Sequence, residues 1–141
     1  MFSVNFTASA VAGLIPQKRQ RLAPLEGDID GRPHRTALVM PIYNEDPLRT
    51  TMALRAMAEE LHDLGVAKGF EIVLLSDSTR ADPWVRETQA AARLRESLAG
   101  IMPVWYRRRW ANIGRKAGNI ENFIRRSGGA YELAIILDAD S

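Results

Sequence analysis

The chain has no cysteine among its 141 residues, so it holds no disulfide, no thiolate metal site and no cysteine nucleophile, which fits a reducing compartment. Histidine is nearly absent: His34 and His62 stand far apart and alone, and neither is assigned a catalytic role. No Gly-x-Gly-x-x-Gly follows the first apolar run, and no Gly-x-x-x-x-Gly-Lys-Ser/Thr occurs anywhere. These two absences argue against a nicotinamide dehydrogenase and a P-loop nucleotidase. Charge of one sign is also lacking, since a formal net charge of +2 is too small to point to nucleic acid. The positive charge is local instead: Arg107 to Arg126 holds seven basic residues against one acid, Glu121.

A long hydrophobic run is missing too. Phe2 to Ile15 is mostly apolar and small, but a spanning helix needs about 20 apolar residues, and Asn5 and Thr7 interrupt this run. The basic residues Lys18, Arg19 and Arg21 follow it, whereas those of a signal peptide precede the apolar core. Two readings stay open: a disordered leader, or the end of a membrane helix whose flanking basic residues mark the cytoplasmic side.

What is present is the mixture of a globular domain, 46% hydrophobic and 26% charged, with room for one domain. Residues 1–35 read as a membrane-adjacent leader and linker, the part from 16 to 35 being rich in proline, glycine and charge without a period. Residues 36–141 read as the folded part. Apolar runs at Thr36 to Ile42, Glu71 to Ser76, Val104 to Tyr106 and Leu133 to Leu137 alternate with helical stretches. The helices are expected at Pro47 to Leu64, Pro83 to Leu98 and Lys116 to Arg126. The first, second and last runs do not alternate in polarity, as strands covered on both faces do not. Leu48, Met52, Met57, Leu61 and Leu64 recur at helical spacing, and Asp46-Pro47 and Asp82-Pro83 suit an N-cap followed by a first-turn proline. The expected fold is therefore α/β: an open, mostly parallel, Rossmann-like sheet with flanking helices.

Ligands of such a sheet bind beyond the carboxyl ends of its strands. There the chain carries Pro41-Ile42-Tyr43-Asn44-Glu45, Ser76-Asp77-Ser78, Arg107 to Arg109, and Asp138-Ala139-Asp140. Asp138 and Asp140, two apart at a strand end, offer hard oxygen ligands that suit Mg²⁺ or Mn²⁺ bound together with a diphosphate; a plain turn is the alternative. Asp77 suits a helix cap or a contact to a base edge equally. Asn44 and Glu45 read singly as loop or cap residues, with Glu45 a partner for an arginine. Arg115-Lys116 before Gly118-Asn119 places cations at a helix start, a ready anion site. Arg125 and Arg126 fit a solvated helix C-terminus, and Trp84, Trp105 and Trp110 read as core or lip packing.

Taken in order, Met40-Pro41-Ile42-Tyr43-Asn44-Glu45-Asp46-Pro47, Leu75-Ser76-Asp77-Ser78-Thr79, Tyr106-Arg107-Arg108-Arg109 with Asn112, Arg115-Lys116-Ala117-Gly118-Asn119-Ile120 and Leu137-Asp138-Ala139-Asp140-Ser141 resemble one family. It is that of the glucans biosynthesis glucosyltransferases H of Gram-negative bacteria, inner-membrane family 2 glycosyltransferases with a GT-A fold. The resemblance implies an inverting enzyme that uses UDP-glucose on the cytoplasmic side of the inner membrane, with a growing β-glucan as acceptor, to build the β-1,2-linked backbone of periplasmic glucans. It implies that Asp77 reads the uracil, that Pro41, Asn44 and Glu45 line the nucleoside pocket, and that Lys116 contacts the diphosphate, with Arg115 also among the residues that bind the nucleotide sugar. It further implies that Asp138 and Asp140 hold the metal, Asp140 also facing the donor. The carboxylate base and the Gln-x-x-Arg-Trp motif of related enzymes are not in this sequence, and the open sheet leaves an apolar edge for later residues to cover. The natural protein is thus expected to be longer, and these 141 residues are expected to bind the donor without turnover. A cellulose- or hyaluronan-type synthase, or a non-catalytic nucleotide-binding module, are the competing readings.

Overall fold

The computed structural model describes residues 9–10 and 35–139, and in it the alternation of runs closes into one sheet. The elements are β1 (Ser9–Ala10), β2 (Thr36–Ile42), α1 (Pro47–Asp63), β3 (Phe70–Ser76), α2 (Ala81–Ser97), β4 (Val104–Arg108), α3 (Arg115–Ser127), a 3-10 turn (Gly128–Ala130) and β5 (Leu133–Ile136). The order across the sheet is β1-β5-β2-β3-β4. The pairs β2–β3, β3–β4 and β2–β5 are parallel and β1–β5 is antiparallel, so the sheet is open and mostly parallel as expected. The chain steps from β2 outward to β4 and then returns to the other side of β2. That reversal puts a topological switch point between β2 and β5, where such sheets bind ligands.

The period of two along β2 sorts its residues to two buried faces. Leu38, Met40 and Ile42 join Leu54, Ala58, Ala91 and Leu94 of α1 and α2, while Ala37 and Val39 join Phe123 of α3. All seven residues of β2 are buried, which is why the run reads as continuously apolar. β5 departs from this expectation. Leu133 is exposed and only Ile136 among its four residues is buried, because β5 lies toward the sheet's edge and only two residues pair beyond it.

Those two residues fall inside the stretch read as leader. Ser9 pairs with Ile136 and Ala10 with Ile135, so two of the four residues of this edge strand are paired with earlier residues of the chain. The other residues assigned to the leader and linker, 1–8 and 11–34, lie outside the described residues, and so does Asp140.

Two details of the helices correct the sequence reading. In α1 the buried stripe is Pro47, Thr50, Thr51, Leu54 and Ala58, whereas Leu48, Met52 and Leu64 are exposed. Threonine can face the core here because its hydroxyl is satisfied within the helix: Thr51 Oγ1 donates to Pro47 O at 2.9 Å and Thr50 Oγ1 to Asp46 O at 3.2 Å. Asp46 is the N-cap, accepting from Leu48 N at 3.0 Å, with Pro47 first in the helix. In α2, however, the N-cap is Arg80, and Asp82 lies within the first turn, where its charge complements the positive end of the helix. Of the tryptophans read as core or lip packing, none is in the core: Trp84 is 39%, Trp105 54% and Trp110 88% exposed.

At the edge of the sheet opposite the strand carboxyl ends, Arg35 binds both oxygens of Glu71, at 2.9 and 3.1 Å, and lies 5.1 Å from the centre of the Tyr131 ring. Burial pushes Glu71 up, but hydrogen bonds from Tyr131 and Arg35 outweigh it and hold the carboxyl below its ordinary value. Burial, and then the neighbouring Glu71, push the Tyr131 hydroxyl up to about 12.

Candidate functional site

A cleft of about 620 Å³ opens at the carboxyl edge of the sheet, lined by Pro41, Ile42, Tyr43, Glu45, Asp77, Asn112, Arg115 and Lys116. Its volume is that of a small-molecule site. It forms where β2 ends, where the chain leaves β3, and where the loop after β4 enters α3. Five of the residues singled out from the sequence, Pro41, Glu45, Asp77, Arg115 and Lys116, thus meet on one wall-to-wall surface.

Asp77 is 5% exposed, and both of its carboxylate oxygens accept from Arg109: Oδ1 from Nε, and Oδ2 from Nη2 at 3.1 Å. This bidentate pair joins the end of β3 to the segment just after β4. Asp77 is therefore not a helix cap, since Arg80 occupies that position for α2. The same guanidinium donates from Nη1 to Ile113 O at 2.8 Å and from Nη2 to Arg115 O at 2.7 Å, so one side chain gathers the loop that presents Arg115 and Lys116.

α3 begins close behind that loop. Gly114 is its N-cap in the left-handed region, with φ 70°, and Arg115 follows with φ 52°. Gly118 has no room for a side chain, since a Cβ there would stand 2.1 Å from Ile113 O. Lys116 Nζ lies 2.9 Å from Asp138 Oδ1, both side chains about half exposed, which connects the cleft wall to the chain leaving β5.

Asn44 stands beside the cleft rather than in its lining. Its N–H donates to Ser78 Oγ at 3.0 Å and its backbone sits at φ 49°, an uncommon conformation for a residue other than glycine. Beneath Asp77, and missed by the sequence reading, Glu87 of α2 is 2% exposed and accepts from Ser76 Oγ at 2.5 Å, from Ser78 Oγ, and from Tyr106 Oη at 3.0 Å. Its place was signalled by spacing: Glu87, Ala91, Leu94 and Leu98 fall on one helical stripe, and the other three are core residues.

The remaining arginines of the triplet serve elsewhere. Arg107 reaches Asn122 Oδ1 at 2.9 Å and Asn119 Oδ1 at 3.0 Å, tying β4 to α3, and burial followed by repulsion from Arg126 and Arg109 lowers its pKa. Arg108 lies 4.2 Å from the Trp84 ring and 5.2 Å from the Trp110 ring, a cation between two aromatic faces. Arg125 pairs with Glu121 at 2.5 Å on the exposed face of α3, as a solvated helix end should.

For a divalent metal, the described residues hold no cluster of three or more His, Cys, Asp or Glu side chains. Asp138 alone represents the expected pair, at the correct edge, Asp140 lying outside the described residues. One or two carboxylates completed by phosphate oxygens are a common set for Mg²⁺, so the chemistry of Asp138 fits that role. Among the described residues no helix is long and apolar enough to cross a membrane.

No family model and no solved structure matches the chain. Curated proteins do. Over 138 residues the chain is 43% identical to the glucans biosynthesis glucosyltransferase H of Xanthomonas campestris pv. campestris (strain B100), an alignment covering 95% of this chain and 21% of that protein. The protein of that name from Bradyrhizobium diazoefficiens is 42% identical over 137 residues, covering 94% of the chain and 18% of its own length. That of Xylella fastidiosa (strain 9a5c) is 46% identical over 106 residues, covering 75% and 17%. The chain spans about a fifth of the length of these relatives. By this shared sequence the chain is a homologue of one segment of the proteins named glucans biosynthesis glucosyltransferase H.

Proposed function

We propose that the cleft binds the uridine diphosphate part of UDP-glucose, and that the chain is the donor-binding part of an inverting glucosyltransferase of glucan synthesis. The observation that carries this reading is the meeting of Pro41, Glu45, Asp77, Arg115 and Lys116 around one cavity at the carboxyl edge of the sheet. Acidic and polar groups lie toward β2 and β3, and the cations lie at the start of α3. A nucleoside suits the first side and a diphosphate the second. The name shared by the relatives supports glucose transfer in glucan synthesis. A β-1,2-linked glucan as acceptor and a place on the cytoplasmic side of the inner membrane belong to the same proposal.

Within that reading, Asp77 accepts from the uracil edge while Arg109 holds the carboxylate still. Asn44 and Glu45 shape the nucleoside side, and Lys116 meets the diphosphate. Asp138 and Asp140 would hold Mg²⁺ or Mn²⁺, which supplies charge stabilisation to a departing diphosphate. No group in this chain is assigned as the base that takes the acceptor proton, so the chain by itself is proposed to bind and not to turn over.

Titration of the 141-residue chain with UDP and Mg²⁺ tests the assignment. Affinity should fall about tenfold or more in Asp77→Ala and in Asp138→Ala, the loss expected when a hydrogen bond to a charged group is removed. Equal affinity in all three proteins would remove both residues from the site.

A further inference from the structure

Glu87 has no part in the site as described so far, yet it is the most deeply buried carboxyl near the cleft and lies directly under Ser76-Asp77-Ser78. We propose that Glu87 is a positioning residue for the cleft: by accepting from Ser76 and Ser78, it sets the hydrogen bonds that hold Asn44 and the chain around Asp77. The proposal rests on the reading of Asn44 and Asp77 as nucleoside-side residues given above.

The hydrogen bonds to Glu87 have a fixed direction. A carboxylate has no proton to give, so each hydroxyl bound to it must spend its own proton on that bond. With the Ser78 proton turned toward Glu87, the remaining lone pairs of Oγ face outward, and one of them accepts the Asn44 N–H at 3.0 Å. With the Ser76 proton on Glu87, Ser76 Oγ accepts the Ser78 N–H at 3.2 Å. Two further bonds close on the same turn, Asp77 N–H to Ile42 O at 2.9 Å and Arg108 Nε to Ser78 O at 3.2 Å. One buried carboxylate thereby orients the groups that hold Asn44 in its left-handed conformation. Such a conformation persists only where its surroundings over-determine it. Asn44 lies between Tyr43 and Glu45, both on the cleft wall, so its backbone sets how they face the ligand.

Glutamine at position 87 has almost the same shape and the opposite logic. Its amide nitrogen donates, so a hydroxyl that meets it must turn its proton elsewhere, and with Glu87 only 2% exposed there is little solvent to repair the mismatch.

The test is amide hydrogen exchange of the 141-residue chain by NMR, read at Asn44 against the core amide of Val39, together with UDP affinity. In Glu87→Gln the Asn44 amide should exchange about tenfold faster relative to Val39, a local and not a global opening. UDP affinity should weaken about threefold or more, and Ser78→Ala should reproduce both effects. At Asn44 the double variant should lose no more than Ser78→Ala alone, because Glu87 acts on that amide through Ser78. Tyr106→Phe removes a different hydroxyl from the same carboxylate and should leave Asn44 near its wild-type rate. The proposal is overturned if Asn44 exchange is unchanged in Glu87→Gln, if the two single effects add, or if Tyr106→Phe accelerates Asn44 as much as Ser78→Ala does. Should Glu87→Gln not fold, Glu87→Asp, which shortens the reach to both serines, takes its place in the same comparison. Absence of UDP affinity in the wild type would remove the nucleotide reading, while the exchange rates would still decide the role of Glu87.

Discussion

Lys116 and Asp138, 22 positions apart in sequence, meet at 2.9 Å between Nζ and Oδ1, so the cation on the cleft wall at the start of α3 is bound to the acid beyond β5. Their side chains are about half exposed. Solvent therefore screens the pair, and its contribution to stability is about 0–1 kcal/mol.

Lys116→Met should accordingly shift the melting temperature little while weakening UDP binding about tenfold, as expected for loss of a charged contact to phosphate. Calorimetric titration beside a thermal melt checks both halves. A large loss of stability with unchanged affinity would make the lysine a structural strut.

Arg109 should behave in the opposite way. Its pair with Asp77 is largely buried, with side chains 15% and 5% exposed, and it also holds the carbonyls of Ile113 and Arg115. Arg109→Ala leaves a buried carboxylate without its cation, a loss of about 3–5 kcal/mol. Urea denaturation should show it, and a midpoint equal to wild type would contradict the pairing.

Gly118→Ala places a Cβ against the backbone oxygen of Ile113, so the loop or the first turn of α3 must move. Overpacking of this kind costs about 1–3 kcal/mol. The same shift displaces Arg115 and Lys116, so UDP affinity should fall as well; the control Gly129→Ala, with nothing within 4 Å of its Cβ, should change neither.

Two groups at the far edge predict the pH range of stability. The Glu71 carboxyl is held low in the folded chain, so its contribution is present above the ordinary glutamate value and is lost as pH falls through the lowered one. The Tyr131 hydroxyl is raised from 10.0 to about 12, so its contribution is complete below 10.0 and is lost as pH rises toward 12. Urea midpoints against pH should flatten on the acid side in Glu71→Gln and on the alkaline side in Tyr131→Phe. Unchanged slopes would contradict these assignments.

Much of the frame was legible in the chain. The run Thr36 to Ile42 coincides with β2, and the Asp46-Pro47 pair with the start of α1, because buried strands and helix caps are local features of residue type. The rotation of each helix about its axis was not. α1 turns Thr50 and Thr51 inward and Met52 outward, an outcome that hydrophobicity alone reverses, since the hydroxyls are satisfied inside the helix. The α2 start was misplaced because any Asp-Pro resembles a cap until the preceding backbone is known.

The site divides in the same way. That Pro41, Glu45, Asp77, Arg115 and Lys116 would gather at one edge followed from sequence, because parallel strands all end on the same side. Their partners did not follow: Arg109 on Asp77, Asp138 on Lys116 and the three hydroxyls on Glu87 are contacts between residues 9 to 32 positions apart. Sequence by itself determined the order of elements and the edge at which chemistry collects, since both depend on short-range pattern. Only the tertiary structure decided which charge meets which, because that depends on how strand order and helix rotation bring distant side chains within about 3 Å, the reach of a hydrogen bond.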